Sequence, residues 1–447
     1  MHLDIKITAL AKGVLDDLVA HGGKVYFVGG CVRDRLLNRD YKDIDVEVHH
    51  LQYEELIEIL SKHGHVHTFG ASFAVVHLDE LKDYEFALPR TETKIGERHQ
   101  DFVVHVRPDL DLKLACARRD FTINAMMCDY ETGEVYDFYG GLTDLKNGIL
   151  REVNPKHFGE DPLRILRAAT FISRYMLRPA SSLEKLCRQM CEVHSLESLS
   201  TERIYDEYSR ILMGTQPSLG LNFIKNVHGL PKYLEDLVHT IQRADFHPEG
   251  SVWNHTLLVV DLCANVKEET SWPLAFMWSA LLHDIGKPKV TTPEGHAYNH
   301  HLAGVEVFKD VESIQDKKMR RYVSMMIKQH MTLMVLAKGS RPIKYLRLLK
   351  EIDGIVPLND LIWISRCDKM GRGYIASRQI EAFNEWINAM IETYGDHAPA
   401  PLVTGKDLIE AQITDHKRYK ELLDQAYEWQ LEGLNKEQII RRVKRER

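Results

Sequence analysis

What the chain lacks narrows the reading first. Its seven cysteines, Cys31, Cys116, Cys128, Cys187, Cys191, Cys263 and Cys367, are scattered and odd in number. None forms a Cys-x-x-Cys pair, which argues against both a zinc knuckle and a disulfide framework. Reduced thiols, as in a cytoplasmic protein, are the simplest reading. Long apolar runs are also missing. The longest uncharged one, Ser271 to Leu282, is too short to span a bilayer, so no membrane partner is expected. The N-terminus has no basic stretch leading into an apolar one, the pattern of a secretory signal. Positive charge is in deficit: 58 Lys and Arg stand against 65 Asp and Glu, a net of -7. No global basic field points to nucleic acid, although a local basic face would be enough. There is no internal repeat and no low-complexity segment. What remains is an ordinary globular composition over 447 residues, about three domains at about 150 residues each.

Periodicity organises the chain. Residues 1–20 read as an amphipathic helix, with Leu10, Val14, Leu15 and Leu18 at helical spacing. Lys24 to Val28 reads as a buried strand ended by Gly29-Gly30, and Val32 to Leu37 as a short helix. Asp43 to Val48 alternates polar and apolar, which predicts a half-buried strand. Glu54 to Lys62 is helical, and Phe73 to Leu78 and Tyr84 to Leu88 are further strands. From about residue 151 the strands stop. Asp161 to Tyr175, Leu183 to Val193 and Glu202 to Met213 are helical patterns, and another helical region runs from near His255 to the end. Pro231 and Asp245 to Gly250 are boundary signals.

The chemistry concentrates first at Gly29-Gly30 and Asp43-Ile44-Asp45. Two glycines between a strand and a helix let backbone N–H groups approach an anion. On a strand, positions i and i+2 face the same way, so Asp43 and Asp45 point into one site while Ile44 and Val46 face the core. Paired carboxylates with phosphate oxygens make the hard oxygen shell that Mg²⁺ takes. Two ions bridged there can activate a hydroxyl and neutralise leaving pyrophosphate. The competing reading makes Asp43, Asp45 and Glu47 the solvated face of an edge strand.

Residues 28–48, VGGCVRDRLLNRDYKDIDVEV, resemble the head motif of the polymerase-beta-like nucleotidyltransferases, and more closely the class II bacterial CCA-adding enzymes and poly(A) polymerases. Three further segments carry the resemblance over roughly residues 20–210: RRDFTINA (118–125), EDPLRILR (160–167) and STERIYDE (200–207). The resemblance implies an α+β fold: a nucleotidyltransferase head with a small mixed sheet, then an all-helical neck, an HD domain and a tail. It implies boundaries of 1–150 for the head, 151–240 for the neck, 241–390 for the HD domain and 391–447 for the tail. Gly29, Gly30, Arg33, Arg118, Arg119, Asp120, Asn124, Asp161, Arg164 and Arg167 are then nucleotide-binding, with Asp43 and Asp45 holding Mg²⁺.

Physical chemistry makes these roles credible. Guanidinium forks at Arg118 and Arg119 suit phosphates. Asp120 and Asn124, four apart, would share a helix face and hold sugar hydroxyls. Asp161 and Arg164, three apart, would offer an acceptor and a donor from one helix face. Cytosine and adenine present an amine beside an unprotonated ring nitrogen; uracil and guanine present the opposite polarity. An i,i+3 surface ion pair is the bland alternative. Glu85 is expected on the third or fourth strand as an additional acid, and Arg90 resembles the start of the family's flexible loop.

A second constellation is His283-Asp284, with His255, His300, His330 and Asp368 in the series H…HD…H…H…D. This resembles the HD-domain phosphohydrolases. Imidazole and carboxylate suit Mn, Fe, Co, Ni or Mg in metal-activated water chemistry. The resemblance implies 2′,3′-cyclic phosphodiesterase or phosphatase activity. His296 and His301 are alternative ligands. For RNA, Arg164, Arg167, Arg174, Arg178, Lys185 and Arg188 bias the middle region, and Arg441, Arg442, Lys444 and Arg445 the end; a solvated, mobile tail is the plain alternative there.

The expected function is template-independent addition of C, C and A to tRNA 3′ ends from CTP and ATP. Poly(A) polymerase, or a CC-only or A-only enzyme, stays open within that class. So do an HD hydrolase as the main activity and a non-catalytic RNA-binding module. The sequence leaves monomer and homodimer both open.

Overall fold

The computed structural model describes residues 1–68, 75–94, 102–245, 247–372 and 377–445. Its contacts separate two compact units, Met1–Leu230 and Pro231–Arg447.

The first unit opens with α1 (Ala9–Ala20), capped by the Thr8 side chain, which accepts from the Ala11 N–H. Its buried stripe is Ala11, Val14, Leu15 and Leu18, spaced i, i+3, i+4, i+7. Leu10, expected on this face, stands one position outside the stripe and is exposed. Then come β1 (Lys24–Val28), α2 (Gly30–Leu36), β2 (Ile44–His49), α3 (Tyr53–Ser61), β3 (Val66–Thr68), β4 (Val75–Leu78) and β5 (Tyr84–Ala87). They are followed by β6 (Arg90–Lys94), β7 (Phe102–Val106), α4 (Leu112–Ala117), β8 (Met127–Asp129), β9 (Val135–Tyr136) and α5 (Gly141–Asn147). The start of the strand expected from Phe73, residues 73 and 74, lies outside the described residues.

Seven strands form one mixed sheet in the order β3-β4-β5-β2-β1-β8-β9, and β6 and β7 pair separately. The second strand, β2, is central: antiparallel to β1, with Asp45 opposite Val28, and parallel to β5, with Asp45 opposite Glu85. This corrects the edge-strand alternative and the half-buried expectation together. Ile44, Val46 and Val48 enter a large core with α1 and α3. On the other face Tyr26 and Val28 pack with Cys116, Ala125 and Met127, and Glu47 is only 1% exposed. The KVYFV strand feeds both cores, which is why its apolar run is unbroken.

Helices α6 (Pro155–Phe158), α7 (Leu163–Tyr175), α8 (Ser181–Glu192), α9 (Thr201–Leu212) and α10 (Pro217–Asn226) complete the unit. Between α7 and α8 the short strand Arg178–Pro179 pairs in parallel with Ile149–Leu150, which corrects the expectation that strands stop near residue 151. Gly220 allows α10 to meet α7, since a Cβ there would lie 2.4 Å from the Ala169 carbonyl oxygen. The second unit is helical: α11 (Lys232–His239), α12 (Val252–Val266), α13 (Pro273–Leu282), α14 (Lys287–Val290), α15 (His300–Lys309) and α16 (Lys317–Gln329). It continues through α17 (Thr332–Leu336), α18 (Pro342–Ile352), α19 (Leu358–Met370), α20 (Ser377–Tyr394), α21 (Gly405–Glu410), α22 (Tyr419–Leu431) and α23 (Lys436–Arg445). The last is no mobile tail: Ile439 and Val443 are fully buried in a core shared with Leu408, Leu422 and Ala426. An α+β head followed by helices is thus the observed fold. Among the described residues no helix is long and apolar enough to cross a membrane.

Candidate active sites

The acidic site is built by strand register. Asp45 projects from β2 on the face shared with Glu47, and Glu85 lies directly across in β5. Asp43 sits just before β2, which begins at Ile44; it is exposed rather than paired in a ladder, so it is a loop residue at the strand's mouth. Glu85 is on the fifth strand in chain order, not the third or fourth. Burial raises the Asp45 carboxyl above its ordinary value; Arg119 opposes this, and the Glu85 and Asp43 charges add to it. The charges of Glu85 and Asp43 thus oppose that of Asp45, the condition a divalent cation relieves. Gly29, at φ 72°, closes the site from above: a Cβ there would lie 2.9 Å from Arg119 NH1 and 3.2 Å from Asp45 Oδ2. Only glycine permits both that backbone angle and that approach.

Glu47, named in the sequence only as part of an acidic face, is the post that holds the arginines. Its Oε2 lies 3.3 Å from Arg118 NH2 and 3.9 Å from Arg119 NH2, and its Oε1 lies 3.0 Å from His49 Nε2. Burial alone would raise the Glu47 carboxyl. The His49 hydrogen bond and the two arginines override it and bring it down to about 2. The alternation in DIDVEV already put Glu47 on the Asp45 face, and that was the available signal.

Four expected nucleotide-binding residues turn inward instead. Arg33 is 5% exposed; its NH1 donates to Asn124 Oδ1 at 2.5 Å and its NH2 to the Tyr175 hydroxyl at 2.6 Å. Asn124 Nδ2 donates to Asp120 Oδ1 at 3.0 Å, and Arg167 makes a forked contact to Asp120 Oδ2 at 2.9 and 2.7 Å. Asp120 and Asn124 do meet, but through a 3-10 turn at Thr122–Asn124 rather than an α-helical face. Their hydrogen bonds join α2, this turn and α7.

Asp161 and Arg164 are also placed differently from the expected shared helix face. Helix α7 starts at Leu163 after Pro162, which has no N–H to give and sets the helical φ. Asp161 therefore lies before the helix, and its Oδ1 accepts from the Leu163 N–H at 3.0 Å. It faces Arg203 NH2 at 3.5 Å. Arg164 donates to the His157 carbonyl at 2.7 Å and to the Arg118 carbonyl at 3.0 Å. A turn joins the two residues through the Arg164 N–H, which donates to the Asp161 carbonyl at 3.1 Å. Of the residues expected to face RNA, Arg188 pairs with Glu184 at 3.2 Å.

In the second unit, His255 comes from α12, His283 and Asp284 from the end of α13, His300 from the start of α15, His330 from the end of α16 and Asp368 from α19. All six are buried. Their ligand atoms converge as two trios, His255–His283–Asp368 and Asp284–His300–His330. Asp284 stands between them: its Oδ2 is 3.2 Å from His283 Nε2, and its Oδ1 is 3.2 Å from His300 Nε2 and 3.7 Å from His330 Nε2. His283, His300 and His330 each donate Nδ1–H to a backbone carbonyl three residues back, all at 2.8 Å. A carbonyl only accepts, so Nδ1 carries the proton and Nε2 is left as a lone pair facing inward. His283 Nε2 and both Asp284 oxygens are buried without a hydrogen bond of good geometry. Inward-facing imidazole lone pairs beside a buried carboxylate fit a bound cation.

Burial, with His283 adjoining, pushes His330 down to about 3. Burial opposes the charge on Asp284, yet Lys287 and His283 hold its carboxyl well below the usual range. Lys287 Nζ is 2.6 Å from Asp284 Oδ2, and Arg372 NH2 is 3.2 Å from Asp368 Oδ2. Glu249 adds a carboxylate 2.8 Å from His255 Nδ1. None of these three was singled out from sequence. A small cavity of about 180 Å³ lined by Gln242, Arg243, Lys287, His296, His300 and Arg372 adjoins the cluster. His296 therefore lines the cavity, and His301 stays outside both trios.

Comparison with known proteins gives the class first. A Poly A polymerase head domain matches residues 25–151 and an HD domain matches residues 252–357, so a nucleotidyltransferase head and an HD domain share one chain. A multifunctional CCA protein of Laribacter hongkongensis is 35% identical over 364 residues, covering 78% of this chain and 85% of its own. One from Pasteurella multocida is 36% identical over 310 residues, covering 66% and 71%. The chain belongs to the multifunctional CCA protein family, the CCA-adding tRNA nucleotidyltransferases. The fold agrees with that of a Thermotoga maritima CCA-adding enzyme solved with tRNA, with a TM-score of 0.63, 21% identity and coverage of 99% and 96%. It agrees equally with a CCA-adding enzyme in its apo form, with a TM-score of 0.66, 22% identity and coverage of 98% and 94%.

Proposed function

We propose that the head adds C, C and A to tRNA 3′ ends from CTP and ATP, releasing pyrophosphate, at the site made by Asp43, Asp45 and Glu85. The observation that carries this reading is the register that sets Glu85 across from Asp45 beneath Gly29. Asp43 and Asp45 would hold Mg²⁺, with Glu85 as the additional acid. When bound, Mg²⁺ lowers the pKa of the RNA 3′-hydroxyl and neutralises charge on the phosphates. Gly29 and Gly30 let the backbone approach the triphosphate. Arg118 and Arg119, steadied by Glu47, bind its oxygens. Arg33, Asp120, Asn124 and Arg167 act one layer back, fixing α7 against the turn that carries the arginines.

Asp161 accepts from the exocyclic amine of cytosine or adenine, and Arg164 donates to the adjoining ring nitrogen. Two backbone carbonyls already hold the Arg164 guanidinium in one orientation, so its remaining donors read polarity rather than adapt to it. Uracil and guanine would set acceptor against acceptor at Asp161 and donor against donor at Arg164, leaving polar groups unpaired.

The HD cluster supports a metal-dependent phosphohydrolase, a 2′,3′-cyclic phosphodiesterase or phosphatase acting on RNA ends. Its donor set of imidazoles and carboxylates would suit Mn, Fe, Co, Ni or Mg, with His255, His283, Asp284, His300, His330 and Asp368 as the ligands. Such ions supply an activated water. Lys287 and Arg372 provide the positive charge a phosphate needs.

The test supplies tRNAs ending before CCA, before CA and before A with each nucleotide separately. C addition to the first two and A addition to the third is expected. Long poly(A) on unstructured RNA without C addition would overturn the reading. Loss of the physiological role in Asp284→Ala but not in Asp43→Ala would make the HD domain the main activity.

A further inference from the structure

A third group of metal-ligating side chains lies on the outer strands of the head. The antiparallel register of β3 and β4 sets His67 opposite His77, and the Asp79 N–H donates to the His65 carbonyl at 3.0 Å, extending the pairing by one step. His65 and His67 are two apart in extended chain and so share a face. Asp79, opposite His65, falls on that same face. The side chains follow. His67 Nε2 is 3.0 Å and His65 Nδ1 3.6 Å from the Asp79 carboxylate, and the two imidazole rings lie 4.6 Å apart, centroid to centroid. One ligand atom from each converges within 4.8 Å of the others. All three residues are exposed, so an ion reaches them directly from solvent.

We propose that His65, His67 and Asp79 form a divalent transition-metal site on the head, separate from the catalytic carboxylates and from the HD cluster. Two imidazoles and a carboxylate select Zn²⁺, Cu²⁺, Ni²⁺ or Co²⁺ over Mg²⁺ and Ca²⁺, which take oxygen shells. An ordinary surface ion pair needs one histidine. Here two imidazoles address one carboxylate from the same side. The bound ion ties a three-residue edge strand to its neighbour, and open coordination positions go to water. The site also faces the working end of the sheet. His77, across from His67, has its Nε2 3.8 Å from Glu85 Oε2, and Glu85 is across from Asp45. The register therefore draws one polar row from the outer site to the catalytic carboxylates.

The experiment counts Zn²⁺ bound per full-length chain by equilibrium dialysis with Mg²⁺ in excess. His67→Gln and Asp79→Asn are each compared with the parent. Each variant should bind one ion fewer, while the Zn²⁺ held by the HD cluster stays. With Co²⁺ as the probe, the same variants should lose one component of the visible d–d absorption. Both changes are on exposed side chains, and unaltered circular dichroism confirms the fold. An unchanged ion count in both variants overturns the proposal. So does a parent whose bound Zn²⁺ disappears entirely in His283→Ala with Asp284→Ala.

Discussion

Replacing Glu47 by glutamine tests the proposed support of the arginines most sharply. The change keeps shape but turns one acceptor oxygen into an amide donor and deletes a charge that is 1% exposed and addressed by His49, Arg118 and Arg119. In the folded chain this carboxyl sits at about 2 against an ordinary 4.5. At about 1.4 kcal/mol for each tenfold change in protonation, that favours the charged form by about 3 kcal/mol. The sign follows from linkage. A depressed folded value gives stability that is complete above the unfolded value and is lost as pH falls through the folded one. The parent should therefore be more stable than Glu47→Gln by about 3 kcal/mol at pH 7. That gap should close as pH drops from 4.5 toward about 2. Urea titrations of head unfolding at neutral and acidic pH measure it. The variant should also raise KM for CTP and ATP more than it lowers kcat, because the loosened arginines bind phosphate in the ground state. Equal stability at pH 7, or a gap that ignores pH, would refute the assignment of Glu47 as a charged post.

Further outcomes follow from the same geometry. Asp45→Asn should abolish nucleotide addition while leaving metal-dependent hydrolysis of 2′,3′-cyclic phosphates intact, and His330→Ala should do the reverse; parallel assays on each variant decide it. Asp161→Ala should reduce the preference for CTP and ATP over UTP and GTP by about 10- to 100-fold, the worth of one hydrogen bond to a charged group, read as misincorporation on tRNA lacking CCA. Phe121 is fully buried against Phe158 and Phe171, with ring centroids at 5.7 and 5.3 Å. Phe121→Ala should cost about 3–5 kcal/mol by thermal or urea unfolding.

Much of the head was legible because its strands obey a two-residue period. KVYFV and DIDVEV gave β1 and β2 nearly to the residue, and the Gly29 turn between them was visible as Gly-Gly. Burial was not legible in the same way. Alternation tells which residues share a face but not what covers that face, and the cover over Glu47 arrives from Arg118, 71 residues later. The same limit applies to Arg33 and Asp120, whose partners at Asn124, Tyr175 and Arg167 lie in elements that linear spacing does not bring together. Asp161 was displaced from the expected helix face by a local effect, Pro162 opening α7. In the HD cluster the residue types were readable, yet their division into two trios was not. That division depends on how α13, α15, α16 and α19 converge, and linear spacing carries no record of it.

The three histidines whose Nδ1–H groups bind carbonyls three residues back have a further consequence. Each ring takes its aim from its own turn of backbone, without reference to the other ligands. Orientation is thus settled when the local turn forms, and little entropy remains to be lost when an ion arrives. Distant substitutions that shift one helix would move a ligand without rotating it. The cluster should tolerate drift in its surroundings as altered spacing, expressed as a change in which metal it prefers, before it fails to bind metal at all.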